Sequence, residues 1–155
     1  MRRILLALIA AIGLIIAIPS SANAADEWYT SSNYPSDKGY GYVGSSSSTV
    51  SGVYQHLTMY RENNYVALWA SVGDEATDGY CAGQEIAYQV YVNGSWSSDY
   101  HKRMVPVHDC STNGVDNFGG YFYSKYKTRN VHSRACHVDS SGRKIHCEGT
   151  WHGPI

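Results

Sequence analysis

The sequence predicts an all-β body: a disulfide-stapled antiparallel β-sandwich or partly closed barrel of about seven strands. Three observations lead there. From Val53 onward, short alternating or apolar runs recur between Gly-, Asn-, Asp- and Ser-rich turn signals. Four cysteines follow an N-terminal export signal, and an even count in a small exported chain implies two disulfides. No stretch after the signal carries the 3.6-residue apolar period of an amphipathic helix.

The elements run as follows. "MRR", "ILLALIAAIGLIIAI" and "PSSANA" are the charged, apolar and cleavage regions of a secretory signal over residues 1–24, cut after Ala24. The expected product is secreted and needs no membrane after cleavage. Residues 25–50, "ADEWYTSSNYPSDKGYGYVGSSSSTV", lack a sustained apolar period and read as a flexible Tyr/Gly/Ser-rich arm. Trp28, Tyr29, Tyr34, Tyr40 and Tyr42 are unusual in a mere spacer, so the arm is expected to dock these rings on a partner or to add a strand to a sheet edge. On that view deleting the arm abolishes partner recovery and leaves the thermal unfolding of a β domain over residues 51–155 nearly unchanged.

Within that domain "VYQHLTMYR" alternates, with Val53, Leu57 and Met59 on one side and Tyr54, His56, Thr58 and Tyr60 on the other. "ENN" turns the chain into "YVALWASV", and the loop "GDEATDGYCAG" leads to "EIAYQVYV". Asn93-Gly94 is a two-residue hairpin signal, after which "SWSSDYHKRMV" returns to end near Pro106. "YFYSKYKT", "NVHSRACHV" and "KIHCEGTW" complete the set. Three disulfide connectivities are possible; Cys81–Cys110 with Cys136–Cys147 is the expected one.

The segment "RACHVDSSGRKIHCE" explains the second pair. A loop at residues 140–143 would set Val138 opposite Ile145, His137 opposite His146 and Cys136 opposite Cys147. Cys136, Val138, Ile145 and Cys147 would then share the inner face, and His137, Asp139, Lys144 and His146 the outer one. Glu148 falls on the histidine face, so His137, His146 and Glu148 form the alternative catalytic or metal-ligating set. His152 lies roughly 20 Å further along a straight strand and is too remote to join them. The favoured reading is a covalent bracket, with no catalytic residue, no metal and no cofactor.

Charge divides along the chain. Residues 25–100 hold nine acidic and two basic residues, whereas residues 101–155 hold four acidic and eight basic ones with six of the seven histidines. Lys125, Lys127 and Arg129 alternate in "YSKYKTRN" and form a candidate binding stripe for an anionic polymer or acidic protein. Residues 25–155 carry thirteen acids against ten bases, which argues against a general nucleic-acid binder. Asp74, Glu75 and Asp78 lie in one loop without the spacing of a helix-flanked calcium site. No Gly-x-Ser-x-Gly elbow, phosphate loop or His-Glu-x-x-His motif occurs.

The whole layout resembles the small adaptor subunit of the secreted umbrella toxin particles of actinobacteria. The features that carry the likeness are the signal, the aromatic Gly/Ser segment Trp28–Ser48 and the disulfide-bearing strand domain ending in "CEGTWHGPI". The resemblance implies a non-catalytic bridge between other secreted proteins, a lectin-like subunit and a larger toxin-bearing subunit, in bacterial antagonism. From the residues alone, the expected function is a secreted protein-interaction module that docks through its N-terminal arm. A small secreted hydrolase or metal-dependent enzyme is the alternative.

Overall fold

The computed structural model describes residues 27–113 and 115–155, so the signal read over residues 1–24 lies outside the described residues. Among the described residues there are ten strands: β1 (Trp28–Ser31), β2 (Gly41–Val50), β3 (Val53–Glu62), β4 (Tyr65–Asp74), β5 (Cys81–Val92), β6 (Ser95–Trp96), β7 (His101–Asp109), β8 (Asn117–Ser124), β9 (Thr128–Val138) and β10 (Lys144–Cys147). The first sheet has the order β1-β8-β4-β3-β2. The second has the order β10-β9-β5-β6, and β7 also pairs with β5. Every pairing is antiparallel, and both sheets end in free edges, which makes a sandwich and not a closed barrel.

Three hairpins turn on two residues with positive φ: Ser51-Gly52, Asn63-Asn64 and Asn93-Gly94. Two consecutive left-handed residues match the right-handed twist of the flanking strands, and Asn and Gly tolerate that geometry. The hairpin at Ser51-Gly52 corrects the expected arm. Residues 41–50 pair along β3 from Gly41 opposite Arg61 to Val50 opposite Val53, so the division at residue 50 falls inside a hairpin. β1 likewise pairs with β8, from Trp28 opposite Ser124 to Ser31 opposite Tyr121. Deleting residues 25–50 would therefore strip strands from both edges of the first sheet.

The core lies between the sheets. Val53, Leu57 and Met59 from β3 and Val66, Leu68, Ala70 and Val72 from β4 meet Ala82, Ile86, Tyr88 and Val90 from β5 and Val131 and Ala135 from β9. These residues are buried, so alternation in β3 correctly marks its inward side. Trp28, read as a docking ring, is instead 5% exposed and packs edge-on against Tyr88 at 5.2 Å.

A polar chain crosses the sandwich near β2. Gln84 donates to Gln55, and Gln55 Nε2 donates to Ser48 Oγ at 3.0 Å. Ser48 in turn donates to Glu148 and accepts from the Ala135 N–H at 3.2 Å. Ser46 meets Ser133 across the same gap at 2.7 Å. Two inward positions of β2, Ser46 and Ser48, thus carry hydroxyls that satisfy polar groups of β9, with Val50 alone packing on the apolar core from this strand, which is why no apolar period marks it.

Both expected disulfides form, Cys81–Cys110 and Cys136–Cys147. Their sequence separations of 29 and 11 residues correspond to about 4 and about 3 kcal/mol in the loop-entropy model. Paired sulfurs fit an oxidising compartment. Among the described residues no helix is long and apolar enough to cross a membrane.

The β9–β10 hairpin keeps part of the expected register. Cys136 faces Cys147 and His137 faces His146, but a bulge sets Lys144 opposite Val138 and leaves Ile145 48% exposed. The two faces are also reversed. His137 pairs with Ala82 on the core-facing side, whereas Cys81, Cys136 and Val138 cluster with Met104 and Cys147 on the outer side of the second sheet. Asp139 bonds Arg143 at 2.8 Å, and Lys144 reaches Glu85 at 2.7 Å.

The fold also sorts charge. Lys102, Arg103, Arg129, Arg134 and Lys144 lie on strands of the second sheet with the acids Glu85 and Asp109, whereas the first sheet's strands carry Arg61 with Glu62 and Asp74.

Candidate functional site

The outward side of the first sheet is aromatic. Tyr60 on β3, Trp69 on β4 and Tyr121 and Tyr123 on β8 face away from the core, since their strand neighbours Met59, Leu68 and Phe122 face into it. Register sets Trp69 directly opposite Tyr121. Tyr34 and Tyr40 flank the short 3-10 turn Pro35–Lys38, and β1 and β2 contribute Tyr29 and Tyr42.

Ring contacts join this surface. Trp69 stacks on Phe118 at 5.4 Å, Phe118 meets Tyr121 at 5.3 Å, Tyr121 meets Tyr34 at 5.5 Å, and Tyr34 meets Tyr60 at 5.9 Å. Tyr42 follows against Tyr60 at 6.1 Å. Tyr29 and Tyr40 both pack on Tyr123, over which Lys38 Nζ sits 4.6 Å from the ring centroid. Most of these contacts are edge-to-face, with interplanar angles of 69–86°. Exposure is greatest at Tyr42, 66%, with Tyr29, Tyr34 and Phe118 between 42% and 45%.

Several hydroxyls are held in place. Tyr123 OH donates to the Asn33 carbonyl at 2.7 Å, and the Tyr34 and Tyr60 hydroxyls lie 3.2 Å apart. Burial, reinforced by the Tyr34 hydrogen bond, pushes the Tyr60 phenol up to about 12. Burial and the neighbouring Tyr29 and Tyr40 do the same for Tyr123. Tyr60 and Tyr123 are therefore neutral phenols at physiological pH.

Of the expected arm aromatics, Tyr29, Tyr34, Tyr40 and Tyr42 do come together here, on a fixed sheet face. Tyr60, Trp69, Phe118 and Tyr121 complete it and were not singled out from sequence. The alternation that puts Tyr60 opposite the core side of β3 was the available signal for one of them.

The basic stripe is divided. β9 begins at Thr128, so Lys125 and Lys127 lie in the β8–β9 connection, where strand alternation does not apply. Lys127 Nζ sits 5.8 Å from the Tyr91 centroid, and the Arg129 guanidinium lies 4.4 Å over Trp96 while its Nε donates to Gln89 at 3.2 Å.

The alternative set His137, His146 and Glu148 is not assembled. The two histidine rings stack at 5.1 Å with their Nδ1 atoms 3.2 Å apart. His137 Nε2 lies 3.4 Å from Asp78 Oδ2, at ion-pair distance but without hydrogen-bond alignment. Glu148 points elsewhere: it accepts from Ser48, from the Ala135 N–H at 2.7 Å and from His152 at 3.0 Å. His152 thus joins the glutamate and not the histidine pair. Burial raises the Glu148 carboxyl, but these donors outweigh it and hold the group below the ordinary carboxylate range.

The acidic loop does not converge either. Asp74 caps the Ala76 N–H at 2.9 Å and Asp78 caps the Tyr80 N–H at 3.0 Å. Among the described residues the one cluster with metal-ligand spacing is Glu85 with Cys136 and Cys147, whose sulfurs are joined to each other.

No protein-family model matches the chain, and comparison with curated proteins and with solved structures finds no match.

Proposed function

We propose that this chain is an exported, non-catalytic protein-binding module whose docking surface is the aromatic outer face of the first sheet. The observation that carries the reading is the linked series Trp69–Phe118–Tyr121–Tyr34–Tyr60–Tyr42 on that face. Tyr and Trp supply broad contact area with a polar tip at low entropy of ordering. Most of the rings stand edge-to-face, with Trp69–Phe118 and Tyr29–Tyr123 stacked, so the surface is ridged and studded with hydroxyls, unlike the flat, coplanar platform that a crystalline polysaccharide would require. A folded protein partner fits such relief better.

Docking by a free arm gives way to docking on a rigid face. Its rings are already ordered by the sheet, which lowers the entropy lost on association. The likeness to the small umbrella-particle adaptors supplies the partner class: a lectin-like or a larger toxin-bearing secreted subunit.

The test uses the exported protein and the triple variant Tyr34→Ser, Tyr42→Ser, Phe118→Ser. All three positions are more than 40% exposed, so unfolding should move little. Stable complexes sized in culture fluid should be present with the native chain and missing with the variant. Equal complex formation by both proteins would overturn the proposal.

A further inference from the structure

The second sheet carries a different feature on its outer side. Lys102 on β7, Ala87 on β5 and His132 on β9 are direct register neighbours and project from one row of the sheet. Lys102 and His132 thus stand two strand spacings apart, roughly 10 Å, with only a methyl group between them. That notch is the floor of a pocket of about 510 Å³, walled by Asp99, Tyr100 and Trp151. The volume lies within the range of small-molecule sites.

We infer that this pocket binds one ring of a neutral saccharide. The reasons are the hydrogen-bonding groups it presents and their charge balance. Asp99 makes no side-chain hydrogen bond or ion pair with any described residue, and Lys102 has only the Trp151 ring, 5.8 Å from its Nζ. His132 Nδ1 is buried without an acceptor against the C-terminal segment, where a Cβ on Gly153 would lie 3.3 Å away. An N–H at that atom would be unpaired, so the ring keeps its single proton on Nε2, the nitrogen that stays accessible. Burial also lowers the His132 pKa and keeps the imidazole neutral.

The pocket therefore offers an anionic acceptor, a cationic donor, a neutral N–H donor and two aromatic walls. Asp99 and Lys102 cancel, so a simple anion or cation gains no net attraction. An apolar guest would strip both charges of water without replacing it. A polyol meets every requirement, since each hydroxyl donates and accepts while ring C–H groups pack on Tyr100 and Trp151.

Trp151 is fixed from beneath by Arg134, whose guanidinium lies 4.2 Å from its centroid and is itself tied to Glu85 at 2.6 Å. The wall is preorganised.

The site lies on the opposite sheet from the aromatic face, and its test is independent of the protein-partner proposal. The probes are soluble tetrasaccharides of N-acetylglucosamine, glucose and mannose, titrated by NMR into the native chain, with arginine and inorganic phosphate in parallel. At least one saccharide should saturate with a Kd of about 1 mM, the level expected for one ring in an open site. Which saccharide binds separates cell-wall from storage or glycoprotein sources. Ala87→Val fills the notch and Asp99→Asn removes the acceptor charge; each should weaken binding about tenfold. Tyr42→Ser should leave it unchanged. No saturable shift with any saccharide at about 20 mM would overturn the inference. So would saccharide binding that Ala87→Val and Asp99→Asn leave intact, or phosphate or arginine binding in its place.

Discussion

Glu85→Gln is the perturbation from which most can be learned. The Glu85 side chain is 4% exposed and accepts from Arg134 Nε at 2.9 Å, Arg134 Nη2 at 2.6 Å and Lys144 Nζ at 2.7 Å. Glutamine keeps the volume, removes the charge and turns one acceptor into a donor that faces a guanidinium. Lys144 is 44% exposed and can recover water, so its loss contributes little. Arg134 is 18% exposed and retains the Glu148 carbonyl and the Trp151 ring, so it is left only partly compensated. Breaking a buried pair from one side removes 3–5 kcal/mol in general, and these mitigations place the loss near the bottom, about 3 kcal/mol. At roughly 4 °C per kcal/mol for a chain of this size, Tm should fall by about 12 °C at pH 7.

The pH dependence has a definite sign. Burial raises the Glu85 carboxyl, but the Lys144 and Arg134 hydrogen bonds outweigh it and leave the folded-state value lowered. A lowered carboxylate contributes stability above its unfolded value, about 4.3, and loses it as pH falls through the folded value. The gap between native and variant proteins should therefore be full at pH 7 and narrow steadily below about pH 4. Urea unfolding with the disulfides intact, run at pH 7 and pH 3, measures both. A gap below about 1 kcal/mol at pH 7, or one that persists undiminished at pH 3, would refute the reasoning.

Two further outcomes follow from the buried network and the phenols. Ser48→Ala removes the hydroxyl shared by Gln55, Glu148 and the Ala135 N–H, and should destabilise by about 2 kcal/mol in urea unfolding. At high pH, Tyr60 and Tyr123 are both raised to about 12, so stability present below pH 10 should be lost as pH rises towards 12. Scanning calorimetry should show Tm falling over that window, and Tyr60→Phe should flatten the fall.

What could be read from residues follows their local physics. The Asn63-Asn64 and Asn93-Gly94 turns were visible because left-handed pairs need those residue types. The inward side of β3 was visible because its apolar positions alternate. The Cys136–Cys147 pairing and the His137–His146 contact followed from the register of a hairpin whose cysteines are 11 residues apart. β2 was missed because Ser46 and Ser48 take core-side positions where the requirement is hydrogen bonding and not apolar volume.

The chain alone thus determined an all-strand body with its short hairpins and the Cys136–Cys147 link, because these depend on neighbours close in sequence; Cys81–Cys110 followed as the remaining pair. Tertiary packing decided the rest. Alternation defines two faces of a strand but not which is covered, so only the pairing of β9 with β5 could turn His137 inward and the disulfides outward. Packing likewise brought rings from five strands and the two flanks of one 3-10 turn into one surface, and set Lys102 and His132 on either side of Ala87. These juxtapositions join residues tens of positions apart, and long-range register, not local preference, creates them.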